Sequence, residues 1–198
     1  MKTLVGATII ALMLPIASAA QDHGNGHDNT PYAGLETRGI ASLSDGDIAE
    51  LRRGGGWGLA LPAELNGLPG PAHLLELRDE LGLSTEQVAA ITVLFDQMRA
   101  DAIAAGDRFI AAEAALSDAF RETSPTRDTL TDLLAEAGEA RAALRLVHLA
   151  RHLATPEILT ADQIRTYSVL RGYAPDPCAS VPGGHDPAMW RSHNGCDG

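Results

Sequence analysis

The chain has 198 residues, 45% of them hydrophobic but only 4% aromatic, and a formal net charge of −11. An acidic chain lacks the basic surface that supplies affinity for nucleic acid, so that class of partner is excluded. Lysine occurs once, at Lys2, which also excludes a phosphate-loop lysine, a Schiff-base lysine and a Ser-Lys dyad.

The first twenty residues read as an export leader. Lys2 supplies a positive start, Leu4 to Ile16 is an apolar run, and Ala17-Ser18-Ala19-Ala20 offers small residues to a signal peptidase, after either Ala19 or Ala20. The run is shorter than the roughly 20 residues a membrane span needs. The expectation is an exported chain with no membrane insertion after cleavage, its charge moving to −12 when Lys2 leaves.

Residues 21–58 read as a flexible N-terminal segment. It opens on a polar, Gly-rich stretch holding His23 and His27, carries one short amphipathic helix near Asp45–Arg52, and runs into the Gly54–Gly58 linker. A helical domain is expected over 59–173. Leu59–Asn66 can form a short helix closed by Gly67. Pro71 fits a first helical position, and Leu74, Leu77 and Leu81 recur at helical spacing before Gly82.

Leu83-Ser84-Thr85-Glu86-Gln87 then opens the best-defined element. Ser84 and Gln87 stand at the N-cap and N3 positions of a capping box, in which each satisfies the other's orphan amide. Val88, Ile91, Phe95, Met98, Ala102, Ala105, Phe109, Ala112, Leu116 and Ala119 follow in an unbroken three-four alternation, the mark of a coiled-coil-like seam. At 1.5 Å per residue such a helix is ~55 Å long, which calls for an extended hairpin. Thr123-Ser124-Pro125 breaks it, with Ser124 as the expected cap. The return helix repeats the seam at Leu130, Leu133, Ala137, Ala140, Leu144 and Val147, and carries a second apolar line at Leu146, Leu149 and Leu153. That second line needs another partner: the helix at 71–81, the final helix or a second subunit. After Thr155-Pro156, the stretch Leu159-Thr160-Ala161-Asp162-Gln163 sets up a second capping box and a closing helix, stopped by Gly172. Residues 174–198 form a Pro/Gly-rich tail.

The fold class is therefore all-α: a long antiparallel helical hairpin with flanking shorter helices. A leader, a hairpin and two Leu-Ser/Thr-x-x-Gln copies together resemble the periplasmic LTxxQ-motif family, comprising the Spy/CpxP-type chaperones and the ZraP- and CnrX-type heavy-metal sensors. The resemblance covers residues 71–173, with the motif on Leu83, Ser84 and Gln87 and again on Leu159, Thr160 and Gln163; Ser84 stands where the family has Thr. It implies a cradle-like homodimer in the periplasm of a Gram-negative bacterium. It implies further that the protein is not an enzyme and needs no nucleotide. Its partners would be unfolded envelope proteins or a signalling partner such as a sensor kinase. In the metal-binding branch a Zn, Ni, Co or Cu ion is held.

The residues themselves offer chemistry for either branch. His148 and His152, four apart on the return helix, project from neighbouring turns and can share one transition metal. The competing reading of His148 is a seam histidine paired with a carboxylate. His73 is a further candidate ligand, without a histidine one turn on, since position 77 is Leu; Glu76 is the nearby oxygen donor. In the tail, Cys178 and Cys196 fit a disulfide in an oxidising compartment, or else a zinc site with His185 and His193 between them. For client capture, the surplus apolar line of the hairpin is the relevant feature, together with Arg99, Arg108, Arg121, Arg141, Arg145 and Arg151 on its two helices.

Overall fold

The computed structural model describes residues 32–196, so the expected leader, His23 and His27 lie outside the described residues. The chain divides after Gly34, and every helix among the described residues belongs to the unit that begins at Leu35. The helices are α1 (Asp45–Arg52), α2 (Leu61–Glu64), α3 (Pro71–Glu76), α4 (Thr85–Glu122), α5 (Arg127–Ala154), α6 (Ala161–Leu170) and α7 (Pro187–His193), with 3-10 turns at Leu35–Thr37 and Thr155–Glu157. Among the described residues the only β-type pairing is an isolated bridge between Ile40 and Leu43.

The all-α hairpin is as expected: α4, 38 residues long, packs along α5. Every one of the ten seam positions on α4 is buried or half-buried, as are all six on α5. The helix starts follow their caps. Ser84 accepts from the Gln87 amide and Thr160 from the Gln163 amide, and both capping boxes are complete. The cap of α5 differs from expectation. Thr126, not Ser124, accepts the Thr129 amide, so the helix starts at Arg127 and Pro125 precedes its cap instead of opening its first turn.

The flexible reading of residues 21–58 does not hold over 40–58. Ile40, Leu43, Leu51 and Leu59 are buried, in one core with Ala102, Ala105, Phe109 and Ile110 of α4 and Leu144 of α5. Periodicity misses this because each apolar residue fills its own slot on the hairpin, with no regular spacing between them. A local signal exists, since Ser44 and Asp47 form a third capping box. Gly106 eases the docking: a Cβ there would stand 3.0 Å from the Leu51 carbonyl oxygen, so any side chain would push the end of α1 back from α4. The Gly54–Gly58 run is packed as well, with Gly54 buried against Arg99.

A second core gathers Leu74, Leu81, Ile91 and Tyr167, joining α3, the start of α4 and α6. Here the two motifs meet. Gln87 Nε2 donates to Gln163 Oε1 (2.8 Å) and Gln163 Nε2 to Gln87 Oε1 (3.0 Å). Each Oε1 also accepts its own N-cap amide, from Ser84 at 2.9 Å and Thr160 at 3.0 Å. Gln87 Nε2 further reaches the Ile158 carbonyl at 2.8 Å. The two capping boxes are locked to one another, a relation that neither box reveals alone.

Candidate functional site

Two features of the hairpin are available for chemistry or binding. One is the outer side of α5. Leu146 and Leu153 are each 66% exposed, while Leu149 between them is half-buried. The packed side of α5, at Ala137, Leu144, His148 and His152, is buried. At 100° per residue the leucine line and the seam lie on opposite sides of the helix. Phe120 and Val93 on α4 are also exposed, at 60% and 56%. The six arginines of the two helices do not form one free basic face. Arg99 donates to the Arg53 carbonyl, Arg121 to Asp118 and the Gly39 carbonyl, Arg151 to Asp101, and Arg141 stacks over Trp57.

The other feature is a cavity of about 630 Å³ between the N-terminal helices and the hairpin. Its walls include Trp57, Phe95 and Met98, and its polar lining includes Glu50, Glu64, His73, His148 and His152. Glu64, at the end of α2, is 4% exposed. A buried carboxylate is costly unless it is paired and hydrogen-bonded, and four elements converge to do this. Tyr167 on α6 donates its hydroxyl to Oε1, and so does Tyr173 at 3.2 Å. His73 on α3 donates from Nδ1 at 3.1 Å. The Arg171 guanidinium lies 3.6 Å away, and His152 Nδ1 stands 3.7 Å from Oε2. Burial alone would raise the Glu64 pKa, but the hydrogen bonds from His73 and Tyr167 and the charges of His73 and His152 outweigh it and hold it down to about 2. The same burial and the neighbouring carboxylate push the Tyr167 hydroxyl up, so it stays a donor.

His152 Nδ1 donates to the Leu68 carbonyl at 2.7 Å. Gly70 leaves room for the ring, since a Cβ there would stand 2.8 Å from it. His148 is 2% exposed, and its pKa is lowered by burial first and by the His152 charge second, against the pull of Glu50. It is therefore neutral at pH 7. Two buried side-chain atoms of residues that line this cavity have no hydrogen-bond partner: Glu64 Oε2 and His148 Nε2.

The structure thus brings three of the five candidate histidines, His73, His148 and His152, to one cavity. The oxygen donor among them is Glu64 in place of Glu76, which lies on the rim and is exposed. Glu64 escapes sequence reading because a single glutamate in a four-residue helix carries no local signal. Among the described residues no group of three or more His, Cys, Asp or Glu is disposed to hold a metal ion. The tail is separate in chemistry. Cys178 and Cys196 form a disulfide with Cα atoms 5.4 Å apart, so their sulfurs do not join His185 and His193 in a zinc site. His185 instead packs edge-on against Trp190 at 4.9 Å, and Trp190 Nε1 donates to the Pro177 carbonyl. Comparison with protein-family models, curated proteins and solved structures finds no match.

Proposed function

We propose that this chain is an exported, non-catalytic helical-hairpin protein of the LTxxQ type that holds unfolded envelope proteins without ATP. The observation that carries the reading is the leucine line on the outer side of α5, with Leu146 and Leu153 two-thirds exposed on a rigid helix. Exposed apolar residues aligned on a long helix suit weak, sequence-tolerant contact with apolar segments. The paired capping boxes of the two motifs support the family resemblance. The test is aggregation of a denatured model client, followed by light scattering without nucleotide. Substoichiometric protein is expected to slow it, and the Leu146→Asp/Leu153→Asp variant to lose the effect with its helix content unchanged. No protection at tenfold excess of the unaltered protein sinks the reading. The periplasm is the compartment that this role and the leader imply. A homodimer, checked by sedimentation, is the assembly that the resemblance implies.

A second reading has its own observation. Glu64 Oε2 and His148 Nε2, a carboxylate oxygen and a neutral imidazole nitrogen, both lack a hydrogen-bond partner, and their residues line one cavity. These are ligand types that divalent Zn, Ni, Co or Cu accepts, and with two protein donors the remaining positions fall to water. Calorimetric titration with Zn(II), Ni(II) and Cu(II) tests this reading. Binding that is unchanged in the His148→Ala/His152→Ala variant removes it.

A further inference from the structure

Met98 on α4 is buried and Phe95 is half-buried, yet among the described residues neither belongs to either hydrophobic core. Both are positions of the unbroken seam, and both line the cavity. Trp57 lines it as well, in a fixed pose. Its φ is +44°, a conformation that a bulky residue keeps only where its surroundings hold it. The amide donates to Glu50 Oε1 at 2.9 Å and the indole Nε1 to Asp47 Oδ1 at 2.8 Å. The loop before it is seated on α4, since Gly54 is buried and a Cβ there would stand 2.9 Å from the Arg99 carbonyl oxygen. The aromatic wall is thus set before anything binds, which lowers the ordering cost of binding. The volume of about 630 Å³ falls in the range of small-molecule sites, roughly 300–1,000 Å³.

The polar lining decides what fits. Glu64 is ionised and can only accept, so His73 Nδ1 beside it carries a hydrogen. The other ring nitrogen, Nε2, belongs to a side chain that is 35% exposed and lines the cavity. It accepts in the neutral ring and donates in the protonated one, and a hydroxyl group serves both. Charged ligands are disfavoured in either sign. An anion meets the Glu50 and Glu64 carboxylates, and a cation meets Arg53 and Arg99, exposed residues of the same lining. Glu64 already has its counter-charges in His73, His152 and Arg171. We propose that the cavity binds an uncharged aromatic molecule bearing a hydroxyl group, with its rings among Trp57, Phe95 and Met98 and its hydroxyl on His73 Nε2. Neither the outer leucine line nor a metal ion enters this binding, which stands apart from both functions proposed above.

The test uses the full chain and three probes of one shape: 2-naphthol, 2-methylnaphthalene and 2-naphthoate. In a Trp190→Phe background the emission of Trp57 is read alone, in parallel with titration calorimetry. 2-Naphthol is expected to quench that emission, saturating together with the heat. 2-Methylnaphthalene, which lacks the hydroxyl, should bind about tenfold more weakly, and 2-naphthoate should give no heat where 2-naphthol saturates. Phe95→Ala should weaken 2-naphthol by about tenfold with helix content unchanged. In His73→Leu the advantage of 2-naphthol over 2-methylnaphthalene should vanish, a comparison within one variant that its stability does not bias. The Leu146→Asp/Leu153→Asp variant should bind 2-naphthol as the parent does. Equal binding of the first two probes by the parent, or an advantage that survives in His73→Leu, overturns the hydroxyl anchor and the proposal with it. Heat without quenching, or an unchanged affinity in Phe95→Ala, places the binding elsewhere and overturns the site. Absence of heat with every probe removes the proposal and leaves the client and cation readings to their own assays.

Discussion

Replacing Gln87 by alanine tests whether the two motifs act as one unit. The change removes the N3 arm of a capping box, worth about 1 kcal/mol. It also removes the bonds to Gln163 and to the Ile158 carbonyl, each worth about 1 kcal/mol net. The expected loss is then about 4 kcal/mol, and Gln163→Ala, without the Ile158 bond, should lose about 3 kcal/mol. The two Gln–Gln bonds are counted in both single changes, so the double variant should fall short of the sum by about 1–2 kcal/mol. Urea unfolding followed by far-ultraviolet circular dichroism gives all three values. Each single change should lower Tm by roughly 2–4 °C per kcal/mol. Effects that add to within about 0.5 kcal/mol would show two independent caps and refute the interlock.

Glu64→Gln should destabilise the protein by about 2–4 kcal/mol at pH 7, since it leaves His73, His152 and Arg171 without their anion. Because the Glu64 pKa is depressed from 4.5 to about 2 in the fold, its stabilisation is full above 4.5 and lost as pH falls through 2; the gap between variant and parent, read from urea midpoints, should close over that window. His148 acts in the same sense, at higher pH. Its pKa lies below 6.5 in the fold, so the unfolded chain takes up the proton first and stability falls as pH drops below 6.5. His148→Leu should flatten that slope. Gly106→Leu should cost about 1–3 kcal/mol by overpacking and detach α1, because the new side chain meets the Leu51 backbone. Loss of the Trp57 emission environment would report the detachment, and an unchanged spectrum would contradict it.

The hairpin is legible in the sequence because its signal is collective. Ten seam positions on α4 repeat one spacing, and a single misread residue does not alter the conclusion. Caps at Ser84 and Thr160 are legible because their hydrogen bonds are local. Long-range polar contacts leave no such trace. Glu64 reaches Tyr167 across 103 residues of sequence and Tyr173 across 109, and no spacing rule joins positions so distant. His148 and His152 can be placed on one helix face, yet what they face is supplied by α1 and α2. The segment carrying those helices is rich in glycine, which marks flexibility in an isolated peptide. In the fold, Gly54 and Gly106 are instead the points where backbones come close.

The position of the cavity along α4 has a consequence for substitution. One core grips this helix around Ile91 and the other from Ala102 to Ile110, while Phe95, Met98 and Arg99 of the span between them line the void. At 1.5 Å per residue that span is ~17 Å. This span of the helix has a hollow beside it where the two cores have packed side chains, so a larger side chain here should be accommodated with less strain than inside either core.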